Sequence, residues 1–166
     1  MMQLWVNLPA AHKMDHPRYQ ALTAAQMGRV ELPDNSDHVR VIAGEYSGVK
    51  GPAVTVTPLG LFDIRLSAGG SIPLSFPAHE NTLALVMQGA IEVQGRTANG
   101  LDLVLFENAG EAITLRASQD AQVLLLNGEP IHEPVVHYGP FVMNTQAEIR
   151  QAMIDFNAGK FGVLTD

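Results

Sequence analysis

The chain has no cysteine. That removes disulfides, thiolate metal sites and a cysteine nucleophile together, and it leaves the redox compartment open. Positive charge is scarce: 10 Lys and Arg stand against 17 Asp and Glu, a formal net charge of -7 with no basic run. Direct binding to nucleic acid or to an anionic membrane surface is therefore disfavoured. No apolar stretch approaches the roughly 20 residues of a bilayer-spanning helix, and the amino terminus lacks the basic, apolar, small-residue order of a signal peptide. A cytoplasmic protein without a membrane anchor is the expectation. Low-complexity tracts and internal repeats are also missing. What remains is 166 residues, 46% of them hydrophobic, enough for one domain to bury a core without staples.

The residues present alternate. In 79–95, HENTLALVMQGAIEVQG, Thr82, Ala84 and Val86 fall on one face and Leu83, Leu85 and Met87 on the other, whereas Ile91 and Val93 alternate with Glu92 and Gln94. A period of two means strand. With Gly89 as the turn residue, the two runs predict the central hairpin of a β-barrel, its first strand covered on both faces and its second half-exposed to water. Further strands are expected at 39–43, 53–57, 59–66, 71–76, 101–106, 112–116 and 122–126, separated by glycine, proline and asparagine signals. Many short strands at this spacing mean an all-β sandwich or barrel. The expected organisation is an amino-terminal strand and irregular arm over 1–38, a barrel over 39–130, and a connector with a docking helix over 131–166, all in one structural domain.

The ends carry their own signals. Residues 4–8, LWVNL, predict a short strand centred on Trp5 that needs a partner, either the barrel or another molecule. His12 and His16 stand four apart with Asp15 beside them, a helical metal-ligand spacing, but Pro17 opposes a helix there. An exposed polar loop is the better reading. Downstream, IHEPVVHYGP holds His132, Glu133, His137 and Tyr138; its prolines keep it extended and the two histidines fall on opposite faces, so it reads as a connector. Beyond it Thr145 and Glu148 form a capping box, Ile149, Ala152, Met153 and Phe156 recur at i, i+3, i+4 and i+7, and Gly159 sits where a left-handed cap is wanted. These predict a helix over 146–158 with one apolar face.

The order of signals around 79–95 resembles the cupin barrels, a jelly-roll-like double-stranded β-helix. Their metal ligands come from G-x5-H-x-H-x3,4-E-x6-G and G-x5-P-x-G-x2-H-x3-N. With Gly89 closing the first motif, the glutamate slot is Thr82 and the histidine slots are Phe76 and Ala78, or Ser75 and Pro77 with the longer spacer. With Gly110 in the second, the histidine slot is Ile113. Every ligand position is vacant, so the expectation is no metal and no other cofactor. His79 and Glu80 lie near the first motif but out of its register, and they are the remaining candidates for chemistry, as a base with its orienter or as a non-standard iron site.

The tail string GEPIHEPVVHYGPFVMNTQAEIRQAMIDFNAGKFG, with LWVNLPAAHKMDHPRYQ at the other end, resembles the pirin family over nearly the whole chain. Pirins are bicupins with a single metal, usually iron, in the amino-terminal barrel; the chain is similar to the second barrel plus the last strand of the first. The resemblance implies a cupin scaffold. For this half it implies no ligand set, and the quercetin 2,3-dioxygenase activity and iron-responsive co-regulation known in the family depend on the other barrel. The expected role is a metal-free packing or interaction module, self-associating or meeting a partner barrel through the Trp5 strand and the Ile149, Met153 and Phe156 face. A quercetinase-like or other enzyme acting on a small aromatic compound near His79 is the alternative.

Overall fold

The computed structural model describes residues 2–33 and 37–162. The chain forms two compact units, one made of Arg18–Pro130 and the other of Met1–Pro17 with Ile131–Asp166. In the larger unit the strands are β1 (Gly28–Glu31), β2 (His38–Ala43), β3 (Glu45–Tyr46), β4 (Val49–Lys50), β5 (Leu59–Leu66), β6 (Ser71–Ser75), β7 (Asn81–Gln88), β8 (Ala90–Val93), β9 (Arg96–Asn99), β10 (Leu103–Leu105), β11 (Ala112–Ala117) and β12 (Ala121–Gly128). They build a six-stranded sheet in the order β1-β2-β5-β12-β7-β10 and a four-stranded sheet in the order β6-β11-β8-β9. Inward residues of both sheets meet in one core. Phe62, Ile64, Ile72, Ile91, Leu115 and Leu125 are its largest fully buried side chains.

Period-two alternation sets which residues enter that core. On β5, Phe62, Ile64 and Leu66 are buried, and on β7, Thr82, Ala84 and Val86 are. Leu83, Leu85 and Met87, on the other face of β7, stay partly exposed, so the expected double cover is half met. The predicted central hairpin is also corrected. β7 pairs with β12 and β10, and β8 with β11 and β9, so the turn at Gly89 carries the chain from one sheet to the other. Gly89 has φ 77°, and a Cβ there would collide with the carbonyl oxygen of Asp120.

Other expectations fail for local reasons. Residues 53–57 form no strand, although the Ala53 amide bonds the Ile42 carbonyl. Pro52 and Pro58 flank the run, and neither has an N–H with which to extend a ladder. Residues 4–8 are extended in composition only, without ladder partners among the described residues. The end of the expected irregular arm, 34–36, lies outside the described residues, as do 163–166.

The smaller unit holds a short 3-10 turn (Ala10–His12), a hairpin of β13 (Val136–Tyr138) and β14 (Phe141–Met143), and α1 (Gln146–Asn157). The segment read as an extended connector is therefore partly a hairpin, turning at Gly139 with φ 55°. The Glu133 carboxylate accepts from the Ala10 amide at 2.7 Å and from Asn144 Nδ2 at 2.9 Å. The capping box of α1 is complete: the Glu148 amide donates to Thr145 Oγ1 and the Thr145 amide to Glu148 Oε2. Ile149 and Ala152 are buried as expected, but Met153 is 38% and Phe156 61% exposed. Phe156 turns instead to an exposed aromatic cluster with Phe141 and Phe161.

Hydrogen bonding from Thr145 holds the Glu148 carboxyl below the usual carboxylate range. A carboxylate with a depressed folded value stabilises above its unfolded value and loses that contribution as pH falls through the folded one. Thr145→Ala should cost about 1 kcal/mol of helix stability, read as roughly five-fold faster amide exchange in α1; acid should also speed that exchange in the parent but not in Glu148→Gln. In the larger unit, Gly89→Val should lower stability by about 2 kcal/mol or more in urea denaturation, since both the positive φ and the Asp120 carbonyl oppose a side chain.

Candidate functional site

The four cupin-motif slots come from separate segments: Phe76 just past β6, Ala78 in the following loop, Thr82 on β7 and Ile113 on β11. All four line one cavity of about 20 Å³. That is room for about one water. Thr82 is buried, and its hydroxyl accepts from Asn127 Nδ2 at 2.9 Å. Phe106 and Ile113 are likewise buried, so the volume where ligands would converge is occupied by hydrocarbon and one satisfied hydroxyl.

Carboxylates reach the same cavity from the rim. Glu80, Glu107 and Glu111 are on its lining, yet no group of three His, Asp or Glu side chains among the described residues is placed to hold a metal ion. The residues present do not fit an iron centre of the 2-His or 3-His type, which needs imidazoles converging on an open position. His12 and Asp15 bond each other at 2.8 Å, while His16 Nδ1 approaches the Pro17 carbonyl. The spacing that suggested a joint site therefore does not bring His16 to it.

Outside the small cavity lies an open mouth pocket of about 510 Å³. Its aromatic wall is Tyr46, Phe62 and Phe76, with successive ring centroids 6.2 Å apart. Burial raises the Tyr46 hydroxyl above its ordinary range, partly offset by a hydrogen bond with Ser47. Glu45 and Glu80 are the only charged residues on the lining. Lys50 Nζ lies 3.8 Å from the Glu45 carboxylate, so Glu80 is the lining carboxylate that makes the pocket suit a neutral or cationic aromatic ligand better than an anion.

The two candidates for chemistry part company here. Glu80 lines both the mouth pocket and the small cavity. His79 is exposed and lines neither; its carbonyl accepts from Asn108 Nδ2 at 3.1 Å. No hydrogen bond joins their side chains, so the base-and-orienter pair is not assembled. Tyr46 was missed in the sequence. It sits on the β3–β4 hairpin, whose turn residues Ser47 and Gly48 both have positive φ, and the Ser-Gly pair between short extended runs was the available signal.

A family model described as the pirin C-terminal cupin domain matches residues 61–162. A Pseudomonas aeruginosa protein that carries the provisional name quercetin 2,3-dioxygenase is 42% identical over 161 residues, spanning 97% of this chain and 56% of its own length. Pirin-1 of Arabidopsis thaliana is 36% identical over 167 residues, 97% of this chain and 58% of its own. Among solved structures, quercetin 2,3-dioxygenase from Acinetobacter baumannii matches with a TM-score of 0.92 at 41% identity, covering 97% of this chain and 56% of that one. The chain thus spans little more than half the length of these relatives, and its fold is the all-β cupin barrel; the strand pattern predicted a sandwich or barrel, and the resemblance a cupin.

Removing the Asn127 amide from Thr82 should leave a buried hydroxyl without its partner. Asn127→Ala is expected to cost about 1 to 2 kcal/mol in urea denaturation, and Thr82→Val in the same background should recover part of the loss.

Proposed function

This chain belongs to the pirin family, and on that premise we propose that it serves as a metal-free cupin barrel whose work is to pack against a partner barrel. The observation that carries this reading is the state of the motif slots: Phe76, Ala78, Thr82 and Ile113 surround a cavity of about 20 Å³. A barrel filled to that degree at its ligand end keeps the rigidity of the scaffold and gives up the coordination site. The barrel exposes Leu105 at 71%, and in the smaller unit Trp5 is 60% exposed. Exposed apolar patches are characteristic of interaction surfaces. Partner barrels of two origins fit, a second copy of this chain or a separately encoded cupin.

A second reading is favoured by Glu80 on the aromatic mouth pocket and by the dioxygenase names of relatives. It is chemistry on a small aromatic compound, with Glu80 as the acid or base. His79 would contribute from the rim only through a rearranged loop.

Elemental analysis of tag-free protein after anaerobic incubation with ferrous iron and desalting separates the readings. Iron should remain at background in the parent. Near-stoichiometric iron that disappears in Glu80→Gln would overturn the metal-free reading. Turnover of quercetin by the parent, abolished in a folded Glu80→Gln variant, would bring the second reading forward.

A further inference from the structure

Two open sheets have four free edges, and here they differ in kind. β1 ends the six-stranded sheet with charge, Arg29 being hydrogen-bonded to Glu31. β6 ends the four-stranded sheet with Pro73. Its ladder bond from the Phe76 amide to the Glu111 carbonyl, with the register Pro73↔Thr114, turns odd-numbered backbone groups outward. The missing N–H of Pro73 therefore falls on the free side. β9, at the opposite edge, reads Arg-Thr-Ala-Asn. Charge, proline and polar side chains are the devices that keep sheet edges from pairing with other molecules.

The fourth edge carries no charge, proline or polar side chain within its three residues, Leu103–Leu105, although Asp102 and Glu107 flank it. β10 ends the six-stranded sheet beside β7. The Phe106 amide donates to the Thr82 carbonyl and the Val86 amide to the Asp102 carbonyl, so even-numbered residues face β7. The N–H and C=O groups of Leu103 and Leu105 consequently point to the open side. Their side chains are 62% and 71% exposed. They also continue the outer face of the sheet, where the register aligns Leu61, Leu126, Leu83 and Leu105 in one row and Leu124, Leu85 and Leu103 in the next. The face is polar at its other end, where Asp63 accepts from Arg40 and Gln122. Apolar character thus grows toward the edge that lacks protection.

We propose that β10 is a dimerisation strand: two copies of this chain pair their β10 edges antiparallel about a two-fold axis at Val104, with Leu103 of each opposite Leu105 of the other. The proposal rests on the packing reading above and names its partner. The occupant is a second copy because the edge complements itself in that register. Both outward-directed residues are leucines placed symmetrically about Val104, so each Leu103–Leu105 pair exchanges two N–H to C=O bonds without a shift. The same register sets Asp102 opposite Phe106 and Glu107 opposite Leu101, so no like charges face each other despite the net charge of -7. The row ending in Leu105 meets the partner row ending in Leu103, and the apolar stripe runs through the axis.

Sedimentation velocity on the tag-free full chain over a concentration series tests it, with two variants. Leu105→Pro removes an N–H on the free side only, as Pro73 does in β6, and the double variant Leu103→Lys, Leu105→Lys charges the edge. The parent should be a dimer whose Leu103 and Leu105 amides exchange slowly. Both variants should weaken dimerisation by about a hundredfold or more while far-UV circular dichroism stays close to the parent, and melting, which in the parent should rise with protein concentration, should lose that dependence. A dimer that persists in either folded variant overturns the β10 assignment and leaves the packing reading standing. A parent that is monomeric at high concentration also overturns it, and the iron measurement then decides the packing reading separately.

Discussion

Two sheets face to face leave a gap of about 10 Å between their backbones, and something must occupy it. In metal-bearing barrels of this architecture part of that volume is given to imidazoles and their ion. Here it is given to hydrocarbon: Phe62, Ile64, Leu115 and Leu125 in the middle, and Phe76, Phe106 and Ile113 toward the open end. Buried apolar side chains contribute roughly 1.5 to 3 kcal/mol each, while an unpaired imidazole in the same place would carry a desolvation penalty. The polar exception, Thr82, is kept only with a partner on Asn127. The same filling thus supplies apolar burial at the positions where the cupin motifs would place imidazoles.

The inward and outward faces were legible because they depend only on a period of two. β5 and β7 follow the expected alternation, and the bounds of β5 coincide with the expected 59–66. Pairing was less legible. An apolar run, a glycine and another apolar run look the same in sequence whether the flanking strands pair or part, and here β7 and β8 part because their partners, β12 and β11, lie far along the chain. β9 was invisible because Arg-Thr-Ala-Asn has no apolar alternation and is held in place by β8 alone. Trp5 and its neighbours erred in the other direction: strand-like composition does not produce a strand without a ladder partner.

For the site, motif counting found four positions that line one cavity; strand register fixes Thr82 and Ile113, while Phe76 and Ala78 lie past the end of β6. It could not place His79 and Glu80, which lie in a loop where alternation gives no direction. The capping box of α1 was legible to the atom, because Thr145 and Glu148 act within one turn. The exposure of Met153 and Phe156 was not, since it depends on what else packs there.

The smaller unit is assembled from both ends of the chain. Its bond from the Ala10 amide to the Glu133 carboxylate spans 123 positions, and the whole of the larger unit is threaded between them. Closing a loop of that length is entropically slow relative to the local strand pairings inside it. Residues 1–17 are synthesised before β13, β14 and α1, the elements that complete their unit. All the strands of the barrel lie within 28–128, whereas the smaller unit needs residues from both ends of the chain.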